Sequence, residues 1–581
     1  MSEKSELQLV KCMEIPVIQD SGKRISVILK ILRDYSTKEK YFEILEDPDY
    51  TYYVTNDDVI DKIYDANNGE ITPVNDIKIE DTYAVTTKYS ELLKSVAFET
   101  GNEDYFYDCI RNREFRKLKN LHHVPIVHGS DINLADYYIA KHYEKYPNDS
   151  EFYISKSYFD IEVDAIDIVG FPSPEEAKCP INAFSLYFDE QNMLVGLFLR
   201  NEKNPLIETF EKNIKAFKKR IKEKYEKLNI KDIKVRIKFF DDEIELIKTA
   251  FDLINHFKPD YSGAWNLTKF DIPYIISRIS VLGYSPEDII CPPEIPYHYS
   301  NLVIDNRNQD YADKGSYYLA ANYTNFIDQL LLYAALRKSS KKESYRLDDI
   351  AQEELKEKKV DYEAINATIK NLPYVNYELF VEYNLHDTML LHMIEDKVRD
   401  IEMIDTIGVV TNTRVEKAFK KTVSVINLAR VFYKKNGFIM SNNHNRDYDG
   451  TKVKNNKKYR GAYVALPDNN GFVGIKINGK RSKYVHRFVI DEDLTSLYPS
   501  IILTFNSDST TLIGHIEPIE GDEFNTSEFA NDLISDNVVN FANKYFKLPL
   551  IDEILDDYEN SKGAWHLYYF FFCILNYIKN I

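Results

Sequence analysis

Glycine is scarce in this sequence, at 19 of 581 residues, about half the usual share of roughly 7%. No low-complexity linker and no repeat at a fixed period interrupts the chain. Lys, Asn, Ile, Tyr and Phe are plentiful instead, and all of them use AT-rich codons, so the bias reads as genomic before it reads as functional. The five cysteines (Cys12, Cys109, Cys179, Cys291 and Cys573) lie far apart, without a CxxC pair. That spacing excludes a disulfide framework and a structural zinc site, and it points to a reducing compartment. The opening MSEKSELQLV has no apolar signal core. The longest apolar run, 565–574, is too short to span a bilayer. A cytoplasmic location (the host cytoplasm if the source is viral) and no membrane partner are therefore expected.

Hydrophobic residues make up 44% and charged residues 29% of the chain, a globular balance. At about 150 residues per domain the length suggests roughly four domains. The net charge is −19, yet residues 411–487 hold 18 Lys and Arg against 4 Asp and Glu. Such asymmetry is either a footprint for a polyanion or a solvated basic surface.

Residues 152–163, FYISKSYFDIEV, alternate as a strand, with Tyr158, Asp160 and Glu162 on one face and Phe159, Ile161 and Val163 on the other. The acidic pair lies side by side on the first of these faces, which reads as polar. Amphipathic helices are predicted over 206–228 and 242–257. Alternating strands and helices from 152 to 395 suggest an α/β domain. His122, His123 and His128 cluster in sequence, but no carboxylate or Cys pattern completes a metal site there.

Two further acids stand out. Asp271, in WNLTKFDIPY, precedes a proline and a helix-like run beginning at Tyr274; as a loop residue it could cap that helix. Asp387, in YNLHD, falls in an apolar helical stripe with Tyr383, Leu390 and Ile394. An acid inside such a stripe wants a hydrogen bond or a metal. Asp160, Glu162, Asp271 and Asp387 together would make a hard, oxygen-rich site suited to Mg²⁺ or Mn²⁺. Two such ions about 3.5–4 Å apart can clamp the attacking and leaving oxygens of a phosphodiester. The Tyr383 hydroxyl, one helical turn before Asp387, can orient the attacking water.

The order DIE, then WNxxxFDxPY, then YxxxD resembles the three exonuclease motifs of family B DNA polymerases, most like those of tailed bacteriophages. The resemblance implies that Asp160, Glu162, Asp271 and Asp387 bind metal and that Tyr383 orients water. It implies that Asn266, Phe270 and Tyr274 contact the 3′ end of DNA, and that Lys359, in KEKKVDY, contacts the scissile phosphate. Ala264 departs from the pattern, where a glycine often stands. Asp493-Leu494-Thr495-Ser496-Leu497-Tyr498-Pro499-Ser500 resembles the first polymerase motif of the same family. There Asp493 would hold a metal, while Leu494, Ser496, Leu497 and Tyr498 would bind the deoxynucleotide, with Tyr498 blocking a 2′-hydroxyl. Tyr459-Arg460-Gly461 is similar to the short motif that lies along the template.

The expected fold is α/β: a ribonuclease-H-like 3′–5′ exonuclease domain (151–399), an N-terminal domain (1–150), a basic connecting segment (400–455), a partial family B palm (456–545) and a divergent tail (546–581). The second catalytic carboxylate of the family, in an Asp-Thr-Asp-Ser hairpin, is absent from the sequence, as is the fingers helix. The expected function is therefore the N-terminal part of a replicative DNA polymerase with proofreading exonuclease. Its partners would be primer–template and single-stranded 3′ ends, deoxynucleotides and a second polypeptide carrying the rest. A stand-alone exonuclease and a non-catalytic DNA-binding fragment are the alternatives.

Overall fold

The computed structural model describes residues 7–60, 76–146, 153–307, 311, 315–338 and 342–442, and four two-residue strands beyond them. Residues 1–457 form one unit and residues 458–581 another. In the second, Lys476–Ile477 pairs with Lys480–Arg481 and Glu517–Pro518 pairs with Phe546–Lys547, both antiparallel. Asp493, Leu494, Ser496, Leu497 and Tyr498, and Tyr459, Arg460 and Gly461, lie outside the described residues.

The first unit begins with a meander of β1 (Leu7–Ile18), β2 (Arg24–Asp34) and β3 (Lys40–Glu46). A second small sheet pairs β4 (Asp49–Thr55) with β5 (Thr82–Lys88) and β6 (Val127–His128). Helix α1 (Leu134–Lys145) begins at Asn133, whose side chain accepts from the backbone N–H of Ala135 and Asp136, and buries Leu134, Ala135, Tyr138 and Ile139 in the core beside these sheets. His128 is spent on Thr55 Oγ1 and Ser441 Oγ, and His122 on Ser130 Oγ.

The α/β part is built on β7 (Lys156–Val163), β8 (Ile181–Phe188), β9 (Met193–Leu199), β10 (Lys234–Phe240), β11 (Tyr261–Ala264) and β12 (Asn325–Asp328). Their spatial order is β10-β9-β8-β7-β11-β12. β8 runs antiparallel to both neighbours, while the β9–β10, β7–β11 and β11–β12 pairs are parallel. Helices α2 (Leu206–Lys227), α3 (Glu243–Phe257), α4 (Asp271–Val281), α5 (Leu347–Leu355) and α6 (Tyr377–Val398) accompany the sheet. One core holds Phe210, Phe217, Ile221 and Tyr225 of α2 with Leu385, Met389 and Leu390 of α6. The other holds Phe159 and Ile161 of β7 with Ile247, Phe251 and Ile254 of α3 and Ile272 and Ile275 of α4. Covering both faces explains why β8 reads INAFSLYF and is buried at every position.

The two predicted helices match α2 and α3 to within about two residues. Four details need correction. Regular strand begins at Lys156. The Tyr158–Asp160–Glu162 face of β7 is not a polar, solvated one: Tyr158 is fully buried in the α2–α6 core. Asp271 is no loop residue but the first residue of α4. Nor is α6 a single apolar stripe. Besides Tyr383, Asp387, Leu390 and Ile394 it buries Phe380, Val381, Asn384, Leu385, His386, Thr388, Met389 and Leu391. Over 383–391 the helix is buried at every position and has no solvated face to generate a clean moment.

α6 sits down on the sheet because small residues lie beneath it. Ser185 Oγ donates to the Asn384 carbonyl at 3.0 Å and also bonds Thr388 Oγ1. A Cβ on Gly196 would lie 3.0 Å from Leu385 Cδ2 and 2.6 Å from Phe198 Cε2. Among the described residues no helix is long and apolar enough to cross a membrane. Cys12, Cys109, Cys179 and Cys291 are free and buried.

Buried polar contacts join the N-terminal sheets to the α/β part. Lys11 of β1 donates to the carbonyls of Ala320 (2.7 Å) and Thr324 (2.8 Å). Asp260, directly before β11, takes Arg33 of β2 on both oxygens and Lys40 of β3 at 2.6 Å. It also accepts from Ser155 N and Oγ. Burial opposes the Asp260 charge, but Lys40 and Arg33 outweigh it and hold the carboxyl below its usual range. That contribution is complete above about pH 4 and is lost as the pH falls below it. Asp260→Ala would leave two cations buried without their carboxylate. It should cost about 3–5 kcal/mol in urea unfolding near neutral pH, against less than about 0.5 kcal/mol for exposed Lys219→Ala. A loss below about 1 kcal/mol for Asp260→Ala would contradict this account.

Candidate functional site

β7 and α6 together make the site. Alternation along β7 sends Asp160 and Glu162 to the face that α6 covers, opposite Ser185 and Ala183 of β8. The register shifts between Glu162 and Val163, a bulge of the kind that re-aims side chains at a strand end. On α6 the i, i+4 spacing stacks Tyr383 over Asp387. Ligand oxygens of Asp160, Glu162 and Asp387 lie within 4.8 Å of one another. Asp160 and Glu162 are half-buried and Asp387 is 1% exposed. Asn384 Nδ2 donates to Asp160 Oδ2 at 3.0 Å. Lys359 Nζ reaches in from the loop after α5, donating to Tyr383 Oη at 3.0 Å and to Asp387 Oδ2.

The structure thus brings together Asp160, Glu162, Asp387, Tyr383 and Lys359. Asp271 stands outside the group of three, although Asp160 acts on its charge. Asn266 sits at φ 69°, a left-handed conformation that Asn tolerates. Its carbonyl accepts from Lys269 and Phe270, the turn that opens α4. Phe270 is half-buried. Tyr274 lies in the core, fully buried, with its hydroxyl donating to the Cys179 carbonyl at 2.7 Å.

Two groups of neighbours were missed from sequence. Phe171 is 78% exposed and rests on Phe270, with ring centroids 5.2 Å apart. Its signal is an apolar residue inside a Gly-Phe-Pro turn just beyond the acidic strand. Asn384 and His386 are buried polar residues beside Asp387 in α6; the same inference that singled out Asp387 would have found them.

Three acids this close destabilise one another's charge. Burial first, then Asp387, pushes Asp160 up to about 8. Burial, then Asp160 and Asp387, raises Glu162. Burial raises Asp387 against the pull of Lys359. Burial, then Asp160 and Asp328, raises Asp271. Lys359 responds in the opposite sense: burial works against its charge, but Asp387 and Asp160 outweigh it and hold it above its ordinary range. Asp387 Oδ1 is buried with no hydrogen-bond partner. An acceptor left in that state costs free energy unless a cation takes it. The donor set, all carboxylate oxygen, fits hard divalent cations. Among the described residues this is the group of acidic ligands consistent with a two-metal site.

Residues 130–350 match the family model described as DNA polymerase family B, exonuclease domain. That stretch includes Asp160, Glu162 and Asp271 and ends before Lys359, Tyr383 and Asp387. The DNA-directed DNA polymerase of Escherichia phage RB69 is 27% identical over 361 residues, covering 61% of this chain and 35% of that one. The DNA-directed DNA polymerase of Enterobacteria phage T4 is 25% identical over 283 residues, covering 48% and 27%. The DNA polymerase delta catalytic subunit of Plasmodium falciparum is 24% identical over 328 residues, covering 55% and 27%. The match spans about a third or less of each relative. Phage and eukaryotic enzymes fall in one narrow band of identity, so the likeness is not specific to the tailed-bacteriophage type. The chain is homologous, at low identity and over part of its length, to family B DNA polymerases broadly.

Proposed function

We propose that this chain carries the 3′–5′ proofreading exonuclease of a replicative family B DNA polymerase, in a ribonuclease-H-like domain over 151–399. The observation that carries the reading is the convergence of Asp160, Glu162 and Asp387 within 4.8 Å, with Asp387 Oδ1 left unpaired. These three, with Asp271 in support, would hold Mg²⁺ or Mn²⁺. The bound cations would supply Lewis-acid stabilisation of a phosphodiester and a lowered pKa for an attacking water.

The chain's own residues supply position. Tyr383, fixed by Lys359 and packed one turn above Asp387, aligns the water for in-line attack. The Lys359 ammonium offsets charge on the scissile phosphate. Phe270 and the exposed Phe171 present aromatic faces on which the bases of a frayed 3′ end stack. Asn266 shapes the turn that presents Phe270, and Tyr274, through Cys179, braces the segment that carries Phe171. We assign Asp493 to a metal of the polymerase site. Leu494, Ser496, Leu497 and Tyr498 bind the deoxynucleotide, and Tyr459, Arg460 and Gly461 the template, in the partial palm (456–545). Synthesis needs a second carboxylate, which the family carries in an Asp-Thr-Asp-Ser run that these 581 residues lack; further sequence, in the same protein or in a partner, would supply it.

A 5′-labelled single-stranded oligonucleotide with Mg²⁺ or Mn²⁺ should shorten stepwise from its 3′ end. Asp160→Ala with Glu162→Ala should lower the rate by at least about a hundredfold. Tyr383→Phe should lower kcat more than it changes KM. A double variant as fast as wild type would contradict the site, and internal cleavage would contradict the polarity. Primer extension should require further sequence carrying that run, joined to this chain or added to it. In that assembly Asp493→Ala should abolish extension and spare the exonuclease. Extension by the purified chain alone, with host polymerase excluded, would overturn that assignment.

A further inference from the structure

Lys359 follows α5, within residues 356–362, which form no helix or strand. Its backbone polar groups have no ladder to join, so other partners must satisfy them. One peptide unit there, Lys358–Lys359, is held at both of its polar atoms by side chains from two helices. The Lys358 carbonyl accepts from His386 Nε2 at 3.0 Å. The Lys359 N–H donates to Asp348 Oδ1, in the first turn of α5, at 2.7 Å. A carbonyl can only accept, so His386 carries its proton on Nε2. Nδ1 is then an acceptor, and the Tyr225 hydroxyl of α2 lies 3.1 Å from it. The Tyr225 and His386 rings are stacked at 27°, and the two residues are 0% and 2% exposed. The hydrogen bond and the stacking together leave the imidazole one orientation.

This arrangement lies next to the carboxylates without touching them. His386 precedes Asp387 on α6 and so points about 100° round the helix from it, toward Tyr225 of α2. The helix turn that aims Asp387 into the site therefore also fixes the peptide from which Lys359 reaches back to Asp387.

We propose that His386 and Asp348 clamp the Lys358–Lys359 peptide, with Tyr225 locking the imidazole, and so act as positioning residues that set the Lys359 ammonium against Asp387 and Tyr383. The clamp deepens the exonuclease reading and rests on it for its role in catalysis, but its effect on Lys359 can be read without any DNA. Freed from the clamp, Lys359 swings away from Asp387 and meets solvent more often. Hydrolysis then slows, because a charge misplaced by about 1 Å at a reacting centre costs up to roughly a hundredfold.

The test uses the full chain and two readouts. The first is the rate at which sulfo-N-hydroxysuccinimide acetate acylates Lys359, followed by peptide mass spectrometry; in the wild type this side chain is 27% exposed and paired. The second is kcat and KM for 3′-end hydrolysis. His386→Leu and Asp348→Ala should each raise acylation about tenfold and lower kcat about tenfold, with KM changed less than about twofold. His386→Gln and Asp348→Asn keep a donor and an acceptor respectively, and should restore both readouts to within about threefold. Val27→Ala, in the buried N-terminal sheet, should lower the melting temperature without moving Lys359 acylation. Asp348 is half-buried at a helix start, so Asp348→Ala decides the matter if His386→Leu does not fold. Unchanged Lys359 acylation in folded Asp348→Ala would overturn the clamp, whatever the nuclease does. Raised acylation in a protein whose wild type hydrolyses no DNA would uphold the clamp and defeat the exonuclease reading instead.

Discussion

Placing three carboxylates within 4.8 Å of one another is unfavourable in a protein interior, and the architecture around Asp160, Glu162 and Asp387 answers that constraint. Two of the acids are fixed by the pleat of one strand. The third comes from a helix more than 200 residues later in sequence, so its position depends on how that helix docks. Ser185 bonds the backbone of α6 at Asn384, and the missing side chain at Gly196 lets Leu385 approach the sheet. Asn384 spends its amide on Asp160, and Lys359 places a cation on Asp387. The repulsion is thus partly offset by the protein itself, and the unpaired Asp387 Oδ1 leaves room for a cation to complete the balance.

The N-terminal sheets bear on the same constraint from the far end of β11. Asp260 is anchored by Arg33, Lys40 and Ser155 immediately before that strand starts. β11 runs parallel to β7 and leads directly into Trp265, Asn266 and Phe270, and then into Asp271 at the head of α4. An anchor at one end of a four-residue strand therefore sets the height at which the aromatic turn leaves the other end. Lys11, with its ammonium among the carbonyls of 320–324, fixes the approach to β12, the next strand in the sheet. Asp260, Arg33 and Lys40 are buried charges that could be replaced only together, since removing one partner strands the others.

Asp387 was legible in sequence because an acid in an apolar periodic segment is costly, and that cost is visible without a structure; Asp160, Glu162 and Asp271 stood out through the order of the motifs that carry them. The alternation in 156–163 and the spacing of Tyr383 and Asp387 carried over directly. What failed was everything that depends on what covers a face. The β7 face with Tyr158 reads as polar from its two acids, yet α6 lies across it. α6 reads as a stripe because helical periodicity presumes one solvated side, and over 383–391 none exists. Tyr274 sits in a motif but turns inward to Cys179, while Phe171, outside any motif, stands exposed beside Phe270. The grip on the Lys358–Lys359 peptide was invisible for a different reason: it joins three helices through one backbone unit, and backbone partners leave no pattern in sequence.

The account's central claim is that Asp160, Glu162 and Asp387 form a cation site, and anomalous scattering tests it most directly. Crystals grown or soaked with Mn²⁺ should show two anomalous peaks about 3.5–4 Å apart, both bonded to oxygens of these three residues. Asp387→Ala should lose at least one of them. Mn²⁺ bound elsewhere, with no density between β7 and α6, would contradict the claim.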